Sequence, residues 1–120
     1  MNIKWITIMV KNLEESKKFY EEYLGLEQIR SFSPRENMKI VFYADKNGMQ
    51  IELIEDLTNK NTSWNSNAVS IGIQYDNYDE LLELARDMNI LESGPIDLGE
   101  IECFYVSDPN NVMIQVIKEK

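Results

Sequence analysis

An α+β fold made of two βαβββ modules in tandem is what this sequence predicts, and three observations predict it. The apolar pattern alternates between period two and helical spacing in the order strand, helix, three strands. That order then occurs a second time, which is the strongest signal in the chain. A polar stretch rich in Asn, Ser and Thr lies between the two occurrences. The expected boundaries are 1–57 for the first module, 58–67 for the linker and 68–120 for the second module, all within one structural domain. With 120 residues and 14.1 kDa, the chain can bury most of its apolar surface without staples.

Residues 3–10 put Ile6, Ile8 and Val10 on one side and Trp5, Thr7 and Met9 on the other, which predicts a strand covered on both faces. Asn12 can cap the helix that follows, with Glu15 completing a capping box, and Leu13, Phe19, Tyr20 and Leu24 recur at helical spacing until Gly25 ends the pattern. Residues 26–32, 38–44 and 49–54 read as strands. A loop over Ser33-Pro34-Arg35-Glu36-Asn37 and a turn at Asp45-Lys46-Asn47-Gly48 separate them.

In the second module, residues 68–75 read as a strand, and Asp76 caps a helix running through Leu81, Leu82, Leu84 and Ala85. Strands follow near 90–96, 100–107 and 112–117. Register supports the repeat: residues 8–12 answer to residues 73–77, and the segment starting at Asp45 answers to the one starting at Asp108.

Composition excludes several chemistries. With no histidine, the chain supplies no Ser-His-Asp triad, histidine proton shuttle or histidine metal ligand. The single cysteine, Cys103, forms no internal disulfide or CxxC pair, and no histidine is present to activate it as a nucleophile. A reducing, cytoplasmic setting is expected. Twelve basic against 21 acidic residues give a net charge of -9, which makes nucleic acid and anionic membranes poor partners. The apolar N-terminal run ends at Lys11, too early for a membrane span, and reads as no targeting signal.

The run Ser16-Lys17-Lys18-Phe19-Tyr20, the following Leu24-Gly25-Leu26, and the late Ser107-Asp108-Pro109-Asn110-Asn111 resemble the vicinal oxygen chelate superfamily, the glyoxalase and bleomycin-resistance fold. Asn111 stands where that family usually has glycine. The resemblance covers essentially the whole chain. It implies curled mixed sheets around an open trough, with helices on the outer faces. It also implies, in the enzymes of the family, a divalent metal held by four side chains. Those four positions fall here on Trp5, Glu52, Ser70 and Gln115, of which only Glu52 matches the usual residue. An indole N–H offers no in-plane lone pair, and the serine hydroxyl and glutamine amide are neutral, so no metal and no other cofactor is expected.

Strand alternation extends the implied trough from these positions. In the first module it adds Thr7, Met9, Gln50 and Ile54, with Phe42 from a middle strand. In the second it adds Gly72, Gln74, Met113 and Ile117, with Cys103 and Tyr105 from a middle strand. The opposite faces, such as Ile6, Ile8, Ile51, Leu53, Ile71, Ile73, Ile114 and Val116, are aliphatic and suit packing under helices. A sheet that is oily on one side and mixed on the other suits a ligand pocket.

The leading expectation is a metal-independent binding protein of the bleomycin-resistance-like branch, with antibiotic resistance as an analogy. In it Trp5 and Phe42 or Tyr105 stack a planar, neutral or cationic ligand, and Glu52 receives a donor group. One alternative is a lyase, isomerase or dioxygenase using a non-standard metal site or Glu52 as a base. Another is a scaffold or regulatory protein whose trough is closed, with Trp5 as filling, Glu52 satisfied by Gln115, Thr7 or Ser70, and Met9, Met113 and Cys103 as core. A homodimer is expected from the resemblance and from open sheet edges.

Overall fold

In the computed structural model, which describes residues 1–59 and 68–120, the chain divides into two compact units, Met1–Trp64 and Asn65–Lys120. The first contains β1 (Trp5–Met9), α1 (Leu13–Lys18), β2 (Glu27–Arg35), β3 (Met38–Ala44) and β4 (Gln50–Asp56). The second contains β5 (Ser70–Gln74), α2 (Tyr78–Asp87), β6 (Leu91–Asp97), β7 (Ile101–Ser107) and β8 (Met113–Glu119). Each forms a four-stranded mixed sheet, ordered β1-β4-β3-β2 and β5-β8-β7-β6. The first and last strands of each unit run parallel, which requires the crossover that the helix supplies, and the remaining pairs are antiparallel. The α+β fold of two βαβββ modules is therefore as the sequence predicts.

The local chemistry that builds the first unit begins at Asn12, whose side-chain oxygen accepts from the Glu15 N–H at 3.0 Å. After α1 the helix widens over Phe19–Tyr23, and the Leu24 N–H reaches back to the Phe19 carbonyl at 3.0 Å. Gly25, at φ 72°, then turns the chain out, a conformation that costs a residue with Cβ. Phe19, Tyr20, Tyr23 and Leu24 are buried, and the Tyr20 ring stacks on Tyr43 of β3 at 6.2 Å, joining helix to sheet. In the second unit Tyr78, Leu81, Leu82 and Ala85 of α2 are buried, and Tyr78 meets Phe104 edge-on at 5.1 Å.

The repeated turns are built alike. Asp45 accepts from the N–H groups of Asn47 and Met49, both at 2.9 Å. Asp108 accepts from Asn110 and Val112 at 2.7 and 2.8 Å. Gly48 and Asn111 take the matching left-handed position, at φ 91° and 64°, so asparagine serves where glycine is usual.

Four expectations need correction. The first strand is covered on one face only: Ile8 is buried, while Trp5, Thr7 and Met9 are exposed, because the helical segment of this unit packs on one face of the sheet, as Tyr20 does on Tyr43. The loop after β2 shrinks to Glu36 and Asn37, with Asn37 at φ 64°, since Pro34 is tolerated within an edge strand and asparagine in a tight turn. Asp76 is not the cap of α2; Asn77 holds that position, and its side chain makes no capping bond. Strand β4 runs on to Asp56, where Arg35 of β2 pairs with it at 2.8 Å. Most of the expected linker, residues 60–67, lies outside the described residues.

Candidate functional site

Register fixes which side chains meet on the sheet face turned away from α1. Thr7 of β1 lies opposite Glu52 of β4, Glu52 opposite Phe42 of β3, and Phe42 opposite Arg30 of β2. This single cross-strand row holds a hydroxyl, a carboxylate, an aromatic ring and a guanidinium. The Thr7 hydroxyl donates to Glu52 Oε1 at 2.6 Å, and Glu52 is only 9% exposed. A carboxylate with so little water is stabilised by such a charge-assisted bond.

Phe42 is buried beneath three neighbours on the same face. Trp5 meets its ring edge-on at 5.3 Å, and Phe32 lies nearly parallel to it at 6.4 Å. The Arg30 guanidinium sits 4.1 Å from the Phe42 ring centre and 5.7 Å from that of Phe32, within cation–π range of both. Trp5, Phe32 and Met9 nevertheless remain 41%, 43% and 36% exposed. Beside Trp5 in register, Gln50 carries a buried amide oxygen with no donor among the described residues.

The row of the second unit that repeats this one is neutral. Gly72 lies opposite Gln115, Gln115 opposite Tyr105, and Tyr105 opposite Ser93. Gln115 donates from Nε2 to the sulfur of buried Cys103 at 3.4 Å. A Cβ on Gly72 would stand 3.1 Å from Ile117 Cδ1 and 3.4 Å from Gln115 Oε1, so glycine leaves room for both side chains. Ser70 pairs with Met113 and Gln74 with Ile117.

Of the residues expected at a site, Trp5, Thr7, Met9, Phe42, Gln50 and Glu52 thus share one face of the first unit. Ser70, Gln74, Cys103, Tyr105, Met113 and Gln115 belong to the second. Thr7 is the donor to Glu52, whereas Gln115 turns to Cys103. Sequence reasoning missed Arg30 and Phe32. Their period-two spacing was a usable signal, but a register irregularity between Gln28 and Arg30 interrupts the alternation of β2.

Two tyrosines behind the face have phenols that resist ionisation. Burial pushes Tyr23 up to about 12. Burial, followed by the 2.6 Å hydrogen bond that its hydroxyl donates to Glu21, raises Tyr43 further.

Of the four positions at which the resemblance implies a divalent metal, Trp5 and Glu52 lie in the first unit and Ser70 and Gln115 in the second. Trp5 has no lone pair to give, Glu52 has one oxygen engaged by Thr7, and Gln115 donates from Nε2 to a sulfur, which leaves the amide oxygen as the atom that could ligate. Among the described residues no three His, Cys, Asp or Glu side chains come together, and no helix is long and apolar enough to cross a membrane.

Comparison with known proteins adds a family and a fold. Residues 5–102 match the Glyoxalase/Bleomycin resistance protein/Dioxygenase superfamily. No curated protein sequence matches. Among solved structures, a glyoxalase family protein from Bacillus cereus superposes with a TM-score of 0.85 at 14% identity, covering 99% of this chain and 94% of the other. The trypanothione-dependent glyoxalase I of Leishmania major gives 0.76 at 21% identity, covering 99% and 87%. An antibiotic-binding protein from Streptomyces gives 0.76 at 16% identity, covering 100% and 97%. At these identities the likeness is one of fold.

Proposed function

Because the chain belongs to the glyoxalase/bleomycin resistance protein/dioxygenase superfamily, we propose that it is a metal-independent binding protein for a planar small molecule, neutral or cationic. The observation that carries this reading is the exposure of Trp5, Phe32 and Met9 on the face that holds Glu52. Three large apolar side chains exposed on the same face as a nearly buried carboxylate form a surface that gains by being covered. A ring resting there gains aromatic contact worth about 1 kcal/mol, and a donor group on it can reach the carboxylate. Exposed in this way, Trp5 is poorly described as filling. The structural likeness to an antibiotic-binding protein is compatible with this reading, though it reaches no further than the fold.

The same reading includes a homodimer in the cytoplasm. Strands β1 and β2 are the edges of one sheet, β5 and β6 of the other, and edges of this kind invite pairing.

The experiment is titration of cationic and neutral planar aromatics in a Trp64→Phe background, so that fluorescence quenching reports Trp5. Quenching is expected, and Glu52→Gln is expected to weaken the cationic ligands about tenfold, or ~1.4 kcal/mol, while neutral ones change little. Failure of every compound to quench Trp5 overturns the reading.

A further inference from the structure

The chain has three arginines, and two are spent on ion pairs: Arg35 with Asp56 at 2.8 Å and Arg86 with Glu83 at 2.6 Å. Arg30 has no carboxylate partner among the described residues, although the net charge is -9. Its guanidinium lies over Phe42 and Phe32 instead. Contact of this kind with a ring does not occupy the guanidinium N–H groups as an ion pair would, and a guanidinium can grip a planar anion with two parallel bonds. Arg30 is itself exposed, so those donors face solvent.

The partner that would use them is limited by the rest of the row. Glu52 lies two strands from Arg30, with Phe42 between, so the two charges are separated by roughly 10 Å at strand spacing. A wholly anionic ligand would bring negative charge toward Glu52, and a wholly cationic one would do the same toward Arg30. A ligand of opposite character at its two ends satisfies both.

The geometry points to Arg30 as the receptor for a carboxylate on the ligand, which makes the ligand a planar amphoteric molecule with its acid group at Arg30, its rings on Phe32 and Trp5, and a hydrogen-bond donor at Glu52. This rests on the ligand-binding reading above and supplies its substrate class. Arg30 is then a specificity-determining residue that touches the ligand, and Phe42 is the positioning residue on which its guanidinium rests.

The test uses three naphthalene probes: an amino-naphthoate carrying both groups, a naphthylamine lacking the acid, and a naphthoate lacking the amine. Binding is read by Trp5 quenching in the Trp64→Phe background, with thermal unfolding of each variant checked in parallel. The amino-naphthoate is expected to bind best. Arg30→Gln is expected to weaken both acids about tenfold and leave the naphthylamine unchanged, and Arg30→Lys is expected to recover only part of the loss, because an ammonium cannot form the paired bonds. Loss of all three probes alike on Arg30→Gln, or of none, overturns the inference, since Arg30 would then only pack on Phe42 or do nothing for binding. If the naphthylamine binds and the acids bind no better, the amphoteric ligand fails while the ligand-binding reading stands. If no probe quenches Trp5, both fail.

Discussion

Thr7 shows how one hydroxyl can hold a site together. It is the donor to a carboxylate that has little access to water, so Thr7→Val, which keeps the shape and the β-branch, removes the partner and leaves Glu52 Oε1 short of a bond. Loss of about 1 kcal/mol in urea unfolding is expected, and Thr7→Ser, which retains the hydroxyl, should lose less. The tyrosines set a second dependence, on alkali. A buried phenol that resists ionisation holds its proton in the folded chain after the unfolded chain has lost it, so the native state binds more protons and stability falls as pH rises. For Tyr23 the contribution is fully present below pH 10 and is lost from there through about 12, at up to about 1.4 kcal/mol per pH unit. Tyr43 and Tyr78, both raised mainly by burial, act in the same direction. Unfolding by urea at several alkaline pH values, followed with tyrosinate absorbance, checks this; stability unchanged to pH 12 would contradict it. At this scale the sequence showed which residue types could form a site, since the family resemblance places Trp5 and Glu52 and alternation places their strand-mates. It concealed Arg30, because an exposed arginine on an edge strand reads as ordinary solvated charge until its position over Phe42 is known.

Elements were legible wherever periodicity was unbroken and were misjudged at their ends. Residues 38–44 were read without error because an apolar central strand flanked by turn residues leaves little latitude. The loop after β2 was overdrawn because proline looks like a breaker, yet an edge strand has no ladder bond to lose on that side. The helix starts diverged for a different reason. Asn12 and Asn77 hold the same position in the repeat, but only Asn12 bonds to its helix. Asn12→Ala should therefore cost about 1 kcal/mol, and Asn77→Ala only a small fraction of that, measured as shifts in the urea midpoint. Equal effects would show that the two caps work alike. Gly94, at φ 103° with the Phe104 Cα 2.8 Å from any added Cβ, is the position in β6 where backbone and neighbour together demand glycine.

For the whole molecule, the repeat made the fold readable before any side chain was placed. Two occurrences of one order of elements constrain each other, and the aspartate turns at 45 and 108 supply a common register point. Assembly is a matter of the surface left over. All nine residues of β2 are exposed, among them Ile29 at 48%, on a strand with one unpaired edge. Light scattering at micromolar concentration is expected to show twice the 14.1 kDa chain mass. A monomer alone would remove the dimer from the proposal.

Duplication also leaves a record of what each copy was kept for. Thr7, Glu52, Phe42 and Arg30 occupy the same rungs in one sheet as Gly72, Gln115, Tyr105 and Ser93 in the other. One row carries opposite charges and the other carries none, so the repeat is kept in the backbone and not in the chemistry. The second row is thus a blank version of the first, in a sheet that already tolerates glycine and serine at those rungs. Engineering a new specificity into this chain would begin there, on rungs that carry no charge to displace.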